Sequence, residues 1–153
     1  MASAMNQETD SRAQAERAIR EDLFCAYRLV ASMGWNDLIF THLSARVSGP
    51  EHRFLLNPYG RGFEEITASS LIKVDMEGKP VDDPQAIVNP AGFTIHLARD
   101  DARCVMHLYT LDGQAVSAMA NGLLPLNQTA LGVVGDFAYH DYEGVALDHD
   151  ERE

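Results

Sequence analysis

The chain has 153 residues, 46% hydrophobic and 23% charged, which suits a single folded domain with a core of its own. Its 23 acidic against 12 basic residues give a net charge of −11, which repels phosphate backbones and argues against nucleic acid as a partner. No run approaches the roughly 20 apolar residues of a membrane span, and the opening MASAMNQETDSRAQ lacks the basic-then-apolar order of a secretion signal. A cytoplasmic location is therefore expected. The two cysteines, Cys25 and Cys104, lie in apolar elements and read as reduced core thiols.

Residues 1–12 read as a flexible N-terminus, followed by one domain over 13–153. Ser11 is a helix cap, with Gln14 three residues on completing a capping box. The helix is expected to run to about Met33, with Ile19, Leu23, Phe24, Tyr27 and Val30 on one face and Gly34 ending it. Leu38-Ile39-Phe40 and His42 to Val47 read as strand material. Residues 48–52 make a turn, and Phe54-Leu55-Leu56 a second short strand that Asn57-Pro58-Tyr59-Gly60 stops. Thr67 caps a single turn over Ala68 to Leu71. Ile72 to Met76, the Glu77-Gly78 turn and Lys79-Pro80-Val81 form a hairpin. These pieces predict a largely antiparallel sheet.

The stretch from Val88 to Ser117 is the expected location of any functional site. Asn89-Pro90 opens a helix, since proline at the first helical position gives up an N–H that is unpaired there anyway. Phe93, Ile95 and Leu97 supply its apolar cover. Cys104-Val105-Met106, flanked by charge, reads as a buried strand with His107 at its C-terminal end. Polar side chains at strand ends, just ahead of a helix, are where α/β folds commonly place chemistry. A helix over Leu111 to Met119 follows, then a strand at Phe137-Ala138-Tyr139 and a helix start at Asp148-His149-Asp150-Glu151. From Asp136 onward seven acids face one arginine, read as a solvated surface.

The run YRLVASMGWNDLIFTHLSARVSGPEHRFLLNPYGRGFEEITASSLIKVD, then VNPAGFTIH, then CVMH and AYHDYEGVALD, resembles the class II aldolase/adducin family from about Glu16 onward. The resemblance implies a three-layer α/β/α domain around a central, mainly antiparallel sheet. It implies a cytoplasmic homo-oligomer, with a divalent metal, commonly zinc, serving to make or break C–C bonds in sugar phosphates or other small hydroxy-carbonyl substrates, or to epimerise them. It also offers the adducin branch, which keeps the fold without the chemistry and works in the actin-associated cytoskeleton.

By that resemblance the metal needs three histidines, two of them in a His-x-His whose alternate residues point to one side of the strand. His107 matches the first; Tyr109 stands at the second, and a phenol is a poor replacement for a neutral imidazole. The third lies in an Asn-His-Gly segment past the last residue given. The catalytic carboxylate position is Gly92, and the phosphate-binding serines correspond to Pro90 and Ala91. Gly60 matches a backbone phosphate contact, although a turn glycine also has a purely conformational explanation. The segment from His96 to His107 is about four residues shorter than usual, or roughly 6 Å of helix. His42 falls where the sugar-phosphate aldolases place an asparagine, and a half-exposed strand histidine explains it equally well. His96 reads as packed on its helix, His140 and His149 as surface residues, and Tyr109 as core or pocket lining. The expectation is a class II aldolase-type domain with an incomplete metal site, acting as a pseudoenzyme. The alternatives are an adducin-like assembly module and a degraded fragment.

Overall fold

A computed structural model of the chain describes residues 2–90, 92 and 102–140. The first helix, α1, spans Ala2–Ser32, so it starts well before the expected Ser11 cap. The reason is local. Residues 2–10 hold neither proline nor glycine, and Glu8 pairs with Arg12 one turn on at 2.7 Å, so nothing stops the helix from extending backwards. Its apolar face is the expected one: Leu23, Tyr27 and Val30 are buried, and Ile19 and Ala26 pack beside them. Phe24 is only half-buried, beneath the Arg28 guanidinium. The helix ends in a Schellman motif. Gly34, at φ +66°, donates to Ala31 O at 3.0 Å, and Trp35 N donates to Val30 O at 3.2 Å.

Four strands follow: β1 (His42–Arg46), β2 (Phe54–Leu56), β3 (Ile72–Val74) and β4 (Cys104–His107). They form one antiparallel sheet in the order β3-β2-β1-β4, so the chain crosses from one edge to the other before β4. Alternation sorts the side chains onto two faces. Leu43, Ala45, Val47 and Leu55 face α1 and share a core with Leu23, Tyr27, Phe63 and Ile66. Phe54 and Leu56 face the other way and pack with Val74, Ile72 and Val88. Pro90 and Gly92 are helical as expected, and Gly92 lies against His42 on the face away from α1. α1 covers one face of the sheet and Val88 and Gly92 lie against the other, in keeping with the layered α/β arrangement that the sequence predicts. Phe93 to Leu97, with His96, and the start of a helix near Asp148, with His149, lie outside the described residues.

A charged cluster clamps α1 to the far strand. Glu16 lies 2.8 Å from Arg20 and 3.0 Å from Lys73, Asp82 approaches both cations, and Arg20 Nη1 donates to Leu71 O at 2.7 Å. Burial opposes ionisation of Glu16, but the hydrogen bonds from Lys73 and Arg20 outweigh it and hold the carboxyl below its usual range.

Several expectations need correction. Leu38-Ile39-Phe40 is a turn: Leu38 sits at φ +48° and Phe40 N donates to Asp37 O at 2.9 Å, which an extended strand does not allow. β4 is not a buried strand. Among the described residues it pairs only with β1, and Met106 is 48% exposed. Cys104 on that edge and Cys25 on the outer side of α1 are both exposed rather than core thiols. Phe137-Ala138-Tyr139 forms no ladder; the Tyr139 hydroxyl instead accepts from Leu123 N.

The hairpin after β3 forms, closed by Asp75 N to Lys79 O at 3.0 Å and Val81 N to Lys73 O at 2.8 Å, although its second arm is a single bridge at Pro80. Helix α2 (Leu111–Ser117) starts at a Thr110 cap whose hydroxyl accepts from Gly113 N at 3.0 Å. Helix α3 (Gln128–Val133) is capped by Asn127, whose Oδ1 accepts from Ala130 N at 2.9 Å.

Candidate functional site

The sheet register sets His42 on β1 directly opposite His107 on β4. Directly paired residues of an antiparallel ladder point to the same face. Their rings therefore meet, with centroids 4.5 Å apart and His107 Nδ1 2.9 Å from His42 Nε2. His107 was singled out from the sequence; His42 was expected to be half-exposed, and that is wrong. It is 2% exposed, enclosed by Gly92 and its own sheet. A strand of three hydrophobic and polar alternations gives no sign of which polar residue will be covered. The register, set by residues 65 positions apart, supplies the partner.

Burial, and next the proximity of His107, push the His42 imidazole down to about 3. Burial also lowers His107. Both rings are thus neutral at pH 7, and the pair is held by a neutral hydrogen bond. Tyr109 sits edge-on to His107 with centroids 4.8 Å apart and is 38% exposed, so it borders the site instead of lying in the core. Gly92 carries no side chain toward the pair: a Cβ there would lie 3.0 Å from His42 Cδ2. Gly60 occupies an exposed turn at φ +86°, with no atom within 4 Å of where a Cβ would stand, so its backbone conformation alone accounts for the glycine. His140 is exposed, far along the chain in the stretch after α3.

Beneath the pair is a polar hub that sequence patterning treats as plain core. The Tyr27 hydroxyl, on α1, accepts from Leu43 N at 3.0 Å and Asn57 N at 3.2 Å. It donates toward Leu43 O at 2.5 Å, with Asn57 Oδ1 2.9 Å away. It thereby ties α1 to β1 next to His42 and to the residue that follows β2. Burial raises the phenol well above its usual range, so the hydroxyl keeps its proton. A groove of about 810 Å³ opens between α1 and the β1–β4 edge, lined by Ile19, Leu23, Val47 and Arg46 among others, but neither histidine of the pair borders it.

Whether these side chains suit a divalent ion follows from donor chemistry. Zinc takes imidazole nitrogen at about 2.0–2.1 Å, so two nitrogens on one tetrahedral ion stand roughly 3.3 Å apart, both with lone pairs aimed at it. In the pair, the facing nitrogens are 2.9 Å apart and aimed at each other. Among the described residues no three His, Cys, Asp or Glu side chains converge. Among the described residues the set suits a single bond from His107 Nε2 and does not suit a closed three-nitrogen site.

The class II aldolase and adducin N-terminal domain matches residues 21–152. A Caulobacter vibrioides protein that is of the aldolase class 2 type by name is 59% identical over 144 residues, covering 92% of this chain and 56% of that protein. Mouse alpha-adducin is 44% identical over 145 residues, covering 91% of this chain and 20% of its own. Among solved structures, an aldolase II superfamily protein from Pseudomonas syringae matches with a TM-score of 0.83 and 50% identity, over 90% of this chain and 58% of that one. The L-fuculose 1-phosphate aldolase of Glaciozyma antarctica PI12 matches with a TM-score of 0.72 and 32% identity, over 90% and 58%. The chain thus spans a little over half the length of the bacterial relative and of these solved structures. Its sheet, its covering helices and these matches agree: the chain belongs to the class II aldolase/adducin family.

Proposed function

We propose that this chain is an aldolase-type domain related to metal-dependent aldehyde-lyases of small hydroxy-carbonyl or sugar-phosphate substrates, with a metal site left incomplete by its own side chains and with weak or no catalysis by itself. The contact between His107 Nδ1 and His42 Nε2 at 2.9 Å carries the reading. A nitrogen engaged in that bond has no lone pair for an ion, which leaves His107 one donor atom. Gly92 brings no carboxylate to act as a base, and Tyr109 no imidazole. The role that remains is binding: a hydroxyl of the ligand at His107, the Gly60 turn as a phosphate contact, and at most a weakly held divalent ion, zinc by resemblance. A cytoplasmic, homo-oligomeric protein is part of the same proposal.

A second reading, a non-catalytic assembly module of the adducin kind, draws support from the adducin relatives. It also draws on the apolar side chains that Met106, Leu111, Leu126 and Leu131 expose at 48%, 83%, 80% and 60%.

Titration of the purified chain with cobalt(II), followed in the visible, tests the first reading. It predicts a weak response that does not saturate at one equivalent. An intense tetrahedral spectrum complete at one equivalent would overturn it.

A further inference from the structure

The two edges of the sheet are finished differently. Beyond β3 the chain folds back as the hairpin arm, where Pro80 bridges Val74 and Val81 N donates to Lys73 O at 2.8 Å. Beyond β4 no described residue pairs. The β1–β4 register shows which main-chain groups this leaves. Arg46 N donates to Arg103 O at 2.8 Å, so these two form a hydrogen-bonded pair, and in an antiparallel ladder such pairs alternate along the strands. Ser44–Val105 and His42–His107 are then the next hydrogen-bonded pairs. The N–H and C=O groups of Cys104 and Met106 therefore point outward, away from β1. No proline, charged side chain or bulge interrupts Cys104 to Met106, although these are the devices that commonly blunt an edge.

We propose that β4 is a self-pairing edge, on which the β4 of a second copy of this chain lies antiparallel across a two-fold axis, joining two four-stranded sheets into one. The register names the occupant. Two such edges satisfy each other only where outward-facing residues stand opposite one another. With the axis through Val105, Cys104 of each copy faces Met106 of the other, and every outward N–H and C=O of both residues finds a partner. Moving the axis one residue either way leaves one of the two without a partner in β4. The side chains agree. Cys104 and Met106 stand opposite Ala45 and Leu43, on the α1 face, and both are exposed. The pairing lays each Met106 beside the other copy's Cys104, which lines the groove between α1 and the β1–β4 edge. It also runs along the strand that carries His107, so both copies border the site. The net charge of −11 on each copy opposes association at long range, which makes the pairing stronger at high salt. This pairing rests on the homo-oligomeric part of the proposed function and gives that part a surface.

Light scattering on the chain as it elutes from size exclusion, under reducing conditions, tests the pairing. The expected mass is that of a dimer, with the dimer fraction rising with concentration and with salt. Met106→Pro takes away an outward N–H and puts a ring in its place, while the β1–β4 ladder, which uses Val105 and His107, keeps its bonds. This variant is expected to be a monomer with an unchanged far-UV circular dichroism spectrum. Met106→Lys sets a charge on the edge at a half-exposed position, is expected to be a monomer too, and decides alone if the proline variant does not fold. The axis is read by Val105→Cys in a Cys25→Ser, Cys104→Ser background. Residues facing each other across a two-fold axis in a non-hydrogen-bonded pair have Cα atoms about 4.5 Å apart, within disulfide range. Mild oxidation is therefore expected to give a covalent dimer. A monomer at every concentration and salt would overturn both this inference and the homo-oligomeric reading. An oligomer that neither Met106 variant dissociates would overturn this inference alone, and so would a Met106-dependent dimer that Val105→Cys fails to cross-link.

Discussion

Tyr27→Phe removes one oxygen atom and leaves the ring in place. Tyr27 is 0% exposed, and its ring meets Phe63 edge-on at 4.6 Å, a contact that phenylalanine keeps. Apolar burial is therefore nearly unchanged, and the cost falls on hydrogen bonding. The main-chain N–H groups of Leu43 and Asn57 lose their shared acceptor, and Leu43 O loses the one proton that the hydroxyl donates. A buried polar group left without a partner costs about 1–3 kcal/mol. With two donors stranded and some relaxation, the expected loss is about 3 kcal/mol. For a domain of this length, each kcal/mol is worth about 2–4 °C in Tm, so a fall of roughly 6–12 °C is expected. Urea unfolding measures the change directly, with an unaltered slope and a lower midpoint. A loss below about 1 kcal/mol would refute the reasoning, since it would mean that the hydroxyl is not the acceptor on which these amides depend.

The histidine pair makes stability acid-sensitive. His42 is pushed down to about 3 while the unfolded value is near 6.5, so between these the unfolded chain binds more protons and stability falls as pH drops. Tm against pH should slope upward over that window, and His42→Gln should flatten it. Glu16 acts lower: its folded value is depressed, so its contribution is full above the unfolded range near 4.3 and is lost as pH falls through the folded value. Glu16→Gln should cost roughly 1–2 kcal/mol at pH 7 by urea unfolding and leave the slope above pH 5 unaltered. Gly92→Ala should destabilise by about 1 kcal/mol or more through contact with the His42 ring, despite alanine's better helix propensity. In a His42→Ala background the same change should stabilise, and a double-mutant cycle without that reversal would refute the contact. Gly34→Ala should cost about 1 kcal/mol, because alanine at φ +66° is strained even with open space around it.

What the sequence revealed of the fold was whatever local periodicity decides. The Leu23, Tyr27 and Val30 face, the glycine stop at 34, the Phe54–Leu56 strand and the Asp75–Gly78 turn each depend on neighbours a few residues away. Burial across the sheet does not. Leu38-Ile39-Phe40 is apolar enough for a strand, yet Thr41 Oγ1 accepts from Asp37 N at 3.3 Å within a turn that takes those residues out of the ladder. Cys104-Val105-Met106 reads as interior because charge flanks it, but its position at an edge of the sheet that the described residues form comes from the strand order.

At the site, resemblance pointed to His107 and could not find its partner. His42 lies at an unremarkable position in an alternating strand, and only the β1–β4 register delivers its ring to His107. Tyr27 was legible as apolar cover, whereas the four polar atoms around its hydroxyl come from two other segments. Gly92 read as a missing carboxylate. Its contact with His42 gives the glycine a positive reason to be there.

Metal content per chain, measured by mass spectrometry after expression with added zinc and exhaustive dialysis, bears most directly on whether His107 belongs to a hydrogen-bonded pair or to a metal centre. The pair predicts far less than one zinc per chain, with His107→Ala changing it little. One zinc per chain, abolished by His107→Ala, would contradict it.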